Sequence, residues 1–398
     1  MPNAATPILG EDQPSVIRTL APLLAAVLIG FLVIGAALPV LPLHVRDDLG
    51  YGPVMVGVVA GCQFASALVA RLWSGRIADT RGPKWAVTAG LLGTTVAGAL
   101  YGLSLLALRA PVLSVAILLL GRAVLGGAES FIITGATTWG LARAGAGHAG
   151  KVIAWMGTAM FAGFAAGAPF GTAIYGHRGF VAVALATMVA PALTLLVVSP
   201  MRGTPRTRRG GAGIASVLGA IWLPGAGAAL SSVGFGAILT FSSLLFVEHG
   251  WTPVWLAFSA YAVALIVARL LFGHLPDRFG GGRVALWFIA VEVVGLILIG
   301  LASSALLAGL GAALTGFGYS LVFPALGAEA VRLAPAESRG VAMGAYTACL
   351  DLALGLSGPA LGLIADARGL SSAFLASALI VLAAGAVGIC LSRRPSCR

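Results

Sequence analysis

The sequence predicts an all-α integral membrane protein with about twelve transmembrane helices in two pseudo-symmetric six-helix bundles. Of the 398 residues, 59% are hydrophobic and 9% are charged, and the mean hydropathy is +1.01, whereas a soluble domain carries roughly a quarter charged residues. The apolar runs are long and continuous, which fits helices rather than the short alternating strands of a membrane β-barrel. A repeat that divides the chain into halves is the third observation.

Each apolar run is long enough for the roughly 20 residues that a membrane-spanning helix needs. The predicted spans are 19–43, 53–73, 85–107, 112–140, 151–173, 179–199, 217–246, 253–273, 284–304, 306–330, 339–365 and 371–391. The longest break, 200–216, is rich in Gly, Pro and Arg and predicts a linker between a first bundle, 19–199, and a second bundle, 217–391. No small-residue cleavage site follows a short apolar core, so the run that begins near residue 19 is expected to be a first span rather than a signal peptide. The polar segment 1–18 and residues 392–398 are expected to be tails.

The basic residues favour one orientation in the membrane. The net charge is +11, with 24 Lys and Arg against 13 Asp and Glu, and the cations lie between apolar runs, which favours a role in topology over nucleic-acid binding. With a cytoplasmic N-terminus, 19 cations fall on the inner side, Arg71 and Arg269 among them, and four on the outer side. We therefore predict that both termini, the tails and the linker are cytoplasmic.

The repeat is visible in the residues themselves. Arg71, Gly75, Asp79 and Gly82 recur 198 residues later as Arg269, Gly273, Asp277 and Gly280. A second echo joins 165–171 (AAGAPFG) to 355–362 (GLSGPALG), each in the fifth span of its half. Two matching six-span halves are typical of transporters whose substrate site lies near the midplane between them.

Residues 75–84, GRIADTRGPK, resemble the signature between the second and third spans of the major facilitator superfamily, Gly-x-Leu-Ala-Asp-Arg-x-Gly-Arg-Lys. With its second copy, the resemblance covers essentially the whole chain and implies the major facilitator fold. It also implies an inner gate at Gly75, Asp79, Gly82, Lys84, Gly273, Asp277, Gly280 and Arg283. The alternative is a turn whose cations set topology, and Pro83 replaces a basic residue of the motif.

Arg122 in the fourth span is a candidate for proton coupling, because charges inside a membrane usually face a partner or a watery cavity. Residues 118–127, LLLGRAVLGG, resemble the Arg-x-x-x-Gly pattern of proton-coupled antiporters in the superfamily. Glu129 follows on the same helix face, about 10.5 Å along the axis, so the two are expected to share a cavity wall without a direct ion pair. The alternative is a structural arginine bonded to backbone carbonyls.

Glu292 and Asp351 are the other acids inside predicted spans. Burial favours the protonated form of a carboxyl group, which can then bind and release a proton as access to water alternates. Asp351 is our first choice as proton carrier because it falls near the middle of its span, and the alternative for each acid is a helix–helix hydrogen bond. Residues 163–171 resemble the fifth-span motif of antiporters, which favours export, although packing alone is an equal explanation.

Polar and aromatic residues of the predicted spans give candidates for the substrate cavity: Phe31, Gln63, Trp155, Phe241, Ser242, Tyr319 and Tyr346. Each is more often a packing residue than a ligand contact. The five histidines are dispersed, the four cysteines form no CxxC pair, and no phosphate-binding loop occurs, so we expect no metal, cofactor or ATP site.

These patterns predict a secondary active transporter of the bacterial inner membrane rather than an enzyme. The most favoured function is proton-driven export of a small organic solute such as a drug, a sugar or a metallophore. Residues 269–280 and 316–327 resemble the arabinose-efflux or drug-efflux branch. The expected partners are the solute, protons and the lipid bilayer, without nucleic acid, and we expect a functional monomer. The alternatives are a proton-coupled importer on the same fold and a membrane enzyme or receptor that moves no solute.

Overall fold

The structure is a computed structural model that describes residues 16–144, 148–204, 214–334 and 339–392. Its helices are α1 (Val16–Ala37), α2 (Leu41–Leu43), α3 (Pro53–Thr80), α4 (Pro83–Leu105), α5 (Pro111–Ala144), α6 (Ala149–Arg178), α7 (Phe180–Val198), α8 (Ile214–Glu248), α9 (Leu256–Phe272), α10 (Leu275–Phe279), α11 (Gly281–Gly300), α12 (Ala305–Leu333), α13 (Arg339–Arg368) and α14 (Leu370–Ser392). A π-helical segment, His44–Asp48, follows α2. Most of the predicted tails 1–18 and 392–398 and of the linker 200–216 lies outside the described residues.

The described residues confirm the predicted fold class. They are helical throughout, without strands, and eleven helices are long and apolar enough to cross a membrane. The helix α9, which has 17 residues, is shorter but apolar and coincides with the predicted eighth span. The part of the chain that is described is therefore an all-α membrane protein.

Some helices differ from the predicted spans. The helix α3 runs to Thr80, seven residues past the predicted end, because polar residues do not stop a helix. It ends before Gly82, whose φ of 100° requires glycine, and Pro83 then begins α4. The first predicted span is not one helix: α1 ends at Ala37, and Pro39 and Pro42, which cannot donate a backbone hydrogen bond, fall in the turn and in α2.

The sequence repeat is also a repeat of local structure. Gly82 and Gly280, 198 residues apart, have φ values of 100° and 86° and begin α4 and α11. The helices α6 and α13 both have 30 residues, and each contains a proline at its twenty-first position, Pro169 and Pro359. Each is followed by a glycine with positive φ. Equivalent helices therefore carry equivalent residues in both halves.

Two helix pairs make most of the contact between the halves: α3 packs along α13, and α6 packs along α9, while α8 makes smaller contacts with α2 and α3. Glycines bring α3 and α13 together backbone to backbone, because a Cβ at Gly57 would meet the Gly358 carbonyl and a Cβ at Gly61 would meet the Gly355 carbonyl. Between α6 and α9, Ser259 Oγ instead donates a hydrogen bond to the Ala165 carbonyl at 3.1 Å. These contacts join the first part of the second membrane-spanning helix of one half, α3 or α9, to the last part of the fifth membrane-spanning helix of the other half, α13 or α6.

Candidate functional site

An ion pair joins α3 of the first half to α13 of the second. Arg71 Nε donates to Asp351 Oδ2 at 2.6 Å, and the side chains are 24% and 5% exposed, respectively. Breaking a shielded ion pair by removing one partner is strongly unfavourable, since the other charge is left uncompensated. Arg71 and Asp351 therefore connect the two halves electrostatically just beyond the glycine contacts.

Glu129 lies close to this ion pair. Gln63 Nε2 donates to Glu129 Oε2 at 2.6 Å, so α3 and α5 meet through a polar contact. The Glu129 carboxyl group is within electrostatic range of Arg71, Asp351 and Arg122. The structure thus brings Gln63, Glu129 and Asp351, three of the predicted site residues, to one side of α3, together with Arg71.

Arg122 is fully buried and does not pair with Glu129. Its Nε donates to the Val59 carbonyl at 3.3 Å and its Nη1 to the Tyr101 hydroxyl at 3.4 Å. Its Nη2 has no hydrogen-bond partner among the described residues. Arg122 also lines a void of about 10 Å³, to which Leu239 of the second half contributes. These contacts are those of the structural alternative, with one donor left free.

Glu292 lies inside the second half rather than at the interface. It is fully buried, Ser231 Oγ donates to its Oε2 at 2.6 Å, and its Oε1 has no partner among the described residues. Gly234 and Gly318 pack directly against it, because a Cβ at either would contact Glu292 atoms. Glu292 is therefore enclosed between α8, α11 and α12.

Arg269, the repeat equivalent of Arg71, lies at the α6–α9 interface. Its guanidinium carbon is 5.2 Å from the centre of the Phe161 ring, and its Nη2 donates to the Ser320 carbonyl at 3.3 Å. The cation count from the sequence assigns Arg71 and Arg269 to the inner face, because both lie near the ends of predicted spans. In the structure both side chains lie between helices. Without them the cation count is still seventeen against four.

The other cavity candidates are packed within the bundles. Phe31 meets Phe164 edge to face at 5.2 Å, and Phe241 is fully buried. Hydrogen bonds within the second half hold the polar groups: Ser242 Oγ donates to the Ile238 carbonyl at 2.7 Å, Tyr346 OH donates to the Phe323 carbonyl at 2.7 Å, and Tyr319 OH lies 3.0 Å from Ser232 Oγ. Trp155 is partly buried against the core. We assign none of these six a ligand contact from the geometry.

The residues of the gating motif lie around the turn between α3 and α4 and around its repeat between α10 and α11. Asp79 is partly buried, Arg283 is exposed, and Gly75 and Gly273 lie near the helix ends; the Asp277 side chain lies outside the described part of the chain.

Lys84 Nζ donates to the Ser199 carbonyl at 2.6 Å, at the end of α7. Arg143 Nη2 donates to the Arg202 carbonyl at 2.8 Å. The start of α4 and the end of α5 thus hold the start of the segment that leads to the second half.

A cavity of about 500 Å³ opens between the end of α12 and the start of α13. It is lined by Pro324, Gly327, Ala328, Val331, Arg332 and Met343. These residues lie at the end of the molecule away from the glycine contacts of Gly57 with Gly358. All six lining residues belong to the second half, so this cavity lies beside α12 and α13 and not between the halves.

The chain belongs to the Major Facilitator Superfamily, whose family model matches residues 23–258 and 226–396. An uncharacterized MFS-type transporter of Pseudomonas aeruginosa is 41% identical over 92% of this chain and 91% of its own length. A Salmonella typhimurium relative of the same description is 39% identical over 96% of this chain and 98% of its own.

A solved structure has the same fold. A bacterial homologue of the human lysosomal transporter Spinster, in an inward-facing and occupied conformation, superposes with a TM-score of 0.74 at 15% identity, covering 96% of this chain and 98% of the other. The chain is therefore a multi-pass membrane transporter of the superfamily and not an enzyme, as the sequence predicted.

Arg71 and Arg269 are the interface residues that sequence reasoning missed as site residues. The signal was present, because each is an arginine within an apolar helix at the same place in the repeat, four residues before Gly75 or Gly273. The signal was overlooked because both residues lie near the ends of predicted spans and were therefore counted among the cations of the inner face.

Proposed function

We propose that this chain exports a small organic solute in exchange for protons, by alternating access between its two halves. The observation that carries the proposal is the ion pair of Arg71 with Asp351 across the α3–α13 interface. A proton on Asp351 removes the negative charge and weakens the attraction between the helices. Binding of a proton to Asp351 is then directly coupled to the separation of the halves.

Glu129 supports the coupling step. It lies within electrostatic range of Asp351 and Arg71, so a change of charge on either acid alters the other's affinity for a proton. The two carboxyl groups form the core of the proposed proton site, and Gln63 orients Glu129. Arg122 and Glu292 have their own buried contacts and are secondary candidates.

The packing of the halves supports the alternating-access part. With both termini in the cytoplasm, as the cation count favours, the glycine contacts of α3 with α13 close the outer side. The cavity of about 500 Å³ at the start of α13 then lies on the cytoplasmic side of the second half. This is the side from which an exporter would load its solute.

The resemblance of 118–127 and 163–171 to antiporter motifs favours export over import. The proposal places the protein in a bacterial inner membrane as a monomer, without cofactor. The proton-coupled importer is the competing outcome of the experiment below, because it uses the same fold.

The test starts from the solutes that cells retain when the gene is deleted, compared with cells that express it. The strongest hit is then offered to inside-out membrane vesicles that pump protons inward. Export by antiport predicts accumulation in these vesicles, collapse of accumulation with a protonophore, and its loss in Asp351→Asn. Accumulation only in right-side-out vesicles would make the protein an importer, and accumulation that ignores the protonophore would refute proton coupling.

A further inference from the structure

The two interfaces between the halves contain equivalent residues that differ in charge. Arg71 and Arg269 are 198 residues apart, at the same position of the repeat. Asp351 is the thirteenth residue of α13, and Phe161 is the thirteenth residue of α6. Each arginine thus meets the same position of its partner helix, which is an acid in one interface and a phenylalanine in the other.

Arg269 consequently lacks the counter-charge that Arg71 has. The ion pairs formed among the described residues do not include Arg269. Its Nε is buried without a hydrogen-bond partner there, and the single bond of Nη2 goes to a neutral carbonyl, that of Ser320. A shielded guanidinium with free donors is unfavourable until an anion binds it.

The guanidinium lies between the halves rather than inside one of them. It contacts α6 of the first half through the Phe161 ring, and its Nη1 lies next to Gly157, which offers no side chain to fill the space. On the other side it reaches α12 of the second half at Ser320. The Arg269 side chain is partly exposed, so it is not sealed inside either half.

Apolar rings continue from this arginine. Phe161 packs against Phe164 with 6.1 Å between ring centres, and Phe164 packs against Phe258 at the same distance. These three rings form a wall across the α6–α9 interface. A guanidinium binds the two oxygens of a carboxylate in a planar, bidentate way, and the wall favours an apolar body beside it.

We propose that Arg269 binds the carboxylate of a small organic acid and that Phe161, Phe164 and Phe258 receive its apolar part. This inference rests on the proposed transport function and names the substrate class. The transported solute is an amphipathic organic anion, held in the α6–α9 interface. Arg71 does not compete for it while Asp351 is ionised, because Asp351 then occupies its guanidinium.

Binding to the purified full-length protein in nanodiscs of zwitterionic lipid tests the inference without a proton gradient. The probes are benzoate, phenylacetate and phenylpropionate, each with its uncharged amide as control, and the readout is ligand-induced thermal stabilisation followed by tryptophan fluorescence. The acids are expected to stabilise the protein and the amides are not. Arg269→Gln is expected to weaken acid binding about 10- to 100-fold, the range for lost charge-assisted hydrogen bonds.

The Phe161→Asp variant tests the same idea from the opposite side. It places an acid where the second interface has Asp351, so the new carboxylate is expected to occupy Arg269 and to exclude the probe, whereas Phe161→Leu retains binding. Arg109→Gln removes an exposed arginine and is the matched control, with binding as in the wild type. A variant that does not fold is set aside, since Arg269→Gln and Phe161→Asp each decide the question alone.

Equal binding of acids and amides, or unchanged acid binding in either decisive variant, would overturn the inference. Stabilisation by phosphatidylglycerol but by none of the acids would assign Arg269 to lipid headgroups and would also overturn it. These outcomes leave the transport proposal intact, because proton-driven flux of another solute that is unaffected by Arg269→Gln would support export without this site. Conversely, acid binding without proton-driven flux would refute the coupling and keep the site.

Discussion

The α3–α13 and α6–α9 interfaces are related by the repeat, yet they hold the halves together in different ways. In the first, Gly61 lies against the Gly355 carbonyl and Arg71 pairs with Asp351. In the second, the equivalent positions are Ser259, which donates to the Ala165 carbonyl, and Arg269, which lies over the Phe161 ring. One interface is closed by backbone contact and a charge pair, and the other by side-chain bridges.

This difference indicates a division of roles. A charge pair can be broken by one proton, whereas a cation–π contact does not depend on protonation of the ring. The α3–α13 interface is therefore suited to respond to protons, and the α6–α9 interface is suited to respond to an anion that adds the missing charge. The two interfaces are equivalent in the repeat, but they are suited to different ligands.

The largest difference between the interfaces is expected for Asp351→Asn. It leaves Arg71 without a counter-charge, and losing one partner of a buried pair costs about 3–5 kcal/mol. Proton-driven transport is expected to fall at least tenfold, measured as initial flux in energised vesicles. Asp366→Asn is the control, because Asp366 is an exposed acid on the same helix. Wild-type proton dependence in Asp351→Asn would remove Asp351 from the mechanism.

A smaller effect is expected from Gly61→Ala. The added methyl group meets the Gly355 carbonyl, and overpacking costs about 1–3 kcal/mol. Thermal unfolding in detergent is the measurement. At the equivalent position, Ser259→Ala removes one hydrogen bond, for which about 0.6 kcal/mol is typical inside membranes. Equal destabilisation by the two substitutions would contradict the view that only α3–α13 is closed by backbone contact.

A smaller effect than that of Gly61→Ala is expected from Phe161→Leu. It removes the cation–π contact with Arg269 and replaces a buried ring with a smaller apolar side chain, so the free energy of unfolding should drop by about 1 kcal/mol. Phe170→Leu on the same helix is the reference, since its ring is 44% exposed and lies away from Arg269. A loss as large as that of Asp351→Asn would show that the α6–α9 interface bears as much of the attraction as α3–α13.

The sequence predicts the fold well because apolar run length and the 198-residue repeat both depend on local composition. It predicts the depth of single residues poorly. Arg71 falls at the end of a hydropathy-defined span, but α3 continues for nine more residues, which places Arg71 about 13.5 Å from the helix end. Which face of α3 meets α13 depends on packing between the halves, so the partner of Asp351 could not be read from either helix alone.

The predicted role of Arg122 shows the same limit. Its rarity inside an apolar run indicated importance, and its burial is as expected. Its partners, a carbonyl of α3 and a hydroxyl of α4, belong to helices that its own sequence pattern does not specify. Glu292 shows the same limit, because its hydrogen-bond partner, the Ser231 hydroxyl, belongs to α8, whereas Glu292 belongs to α11.

The hydrogen bonds from Lys84 to Ser199 and from Arg143 to Arg202 suggest a labelling site for distance measurements between the two halves. They join the C-terminal end of α7 to α4 and α5, so Met201 is expected to move with these helices in the proposed rocking of the halves. A fluorophore on Met201→Cys would report the position of the first six helices, and its distance to a second dye at the start of α8 would serve as a ruler for each transport cycle.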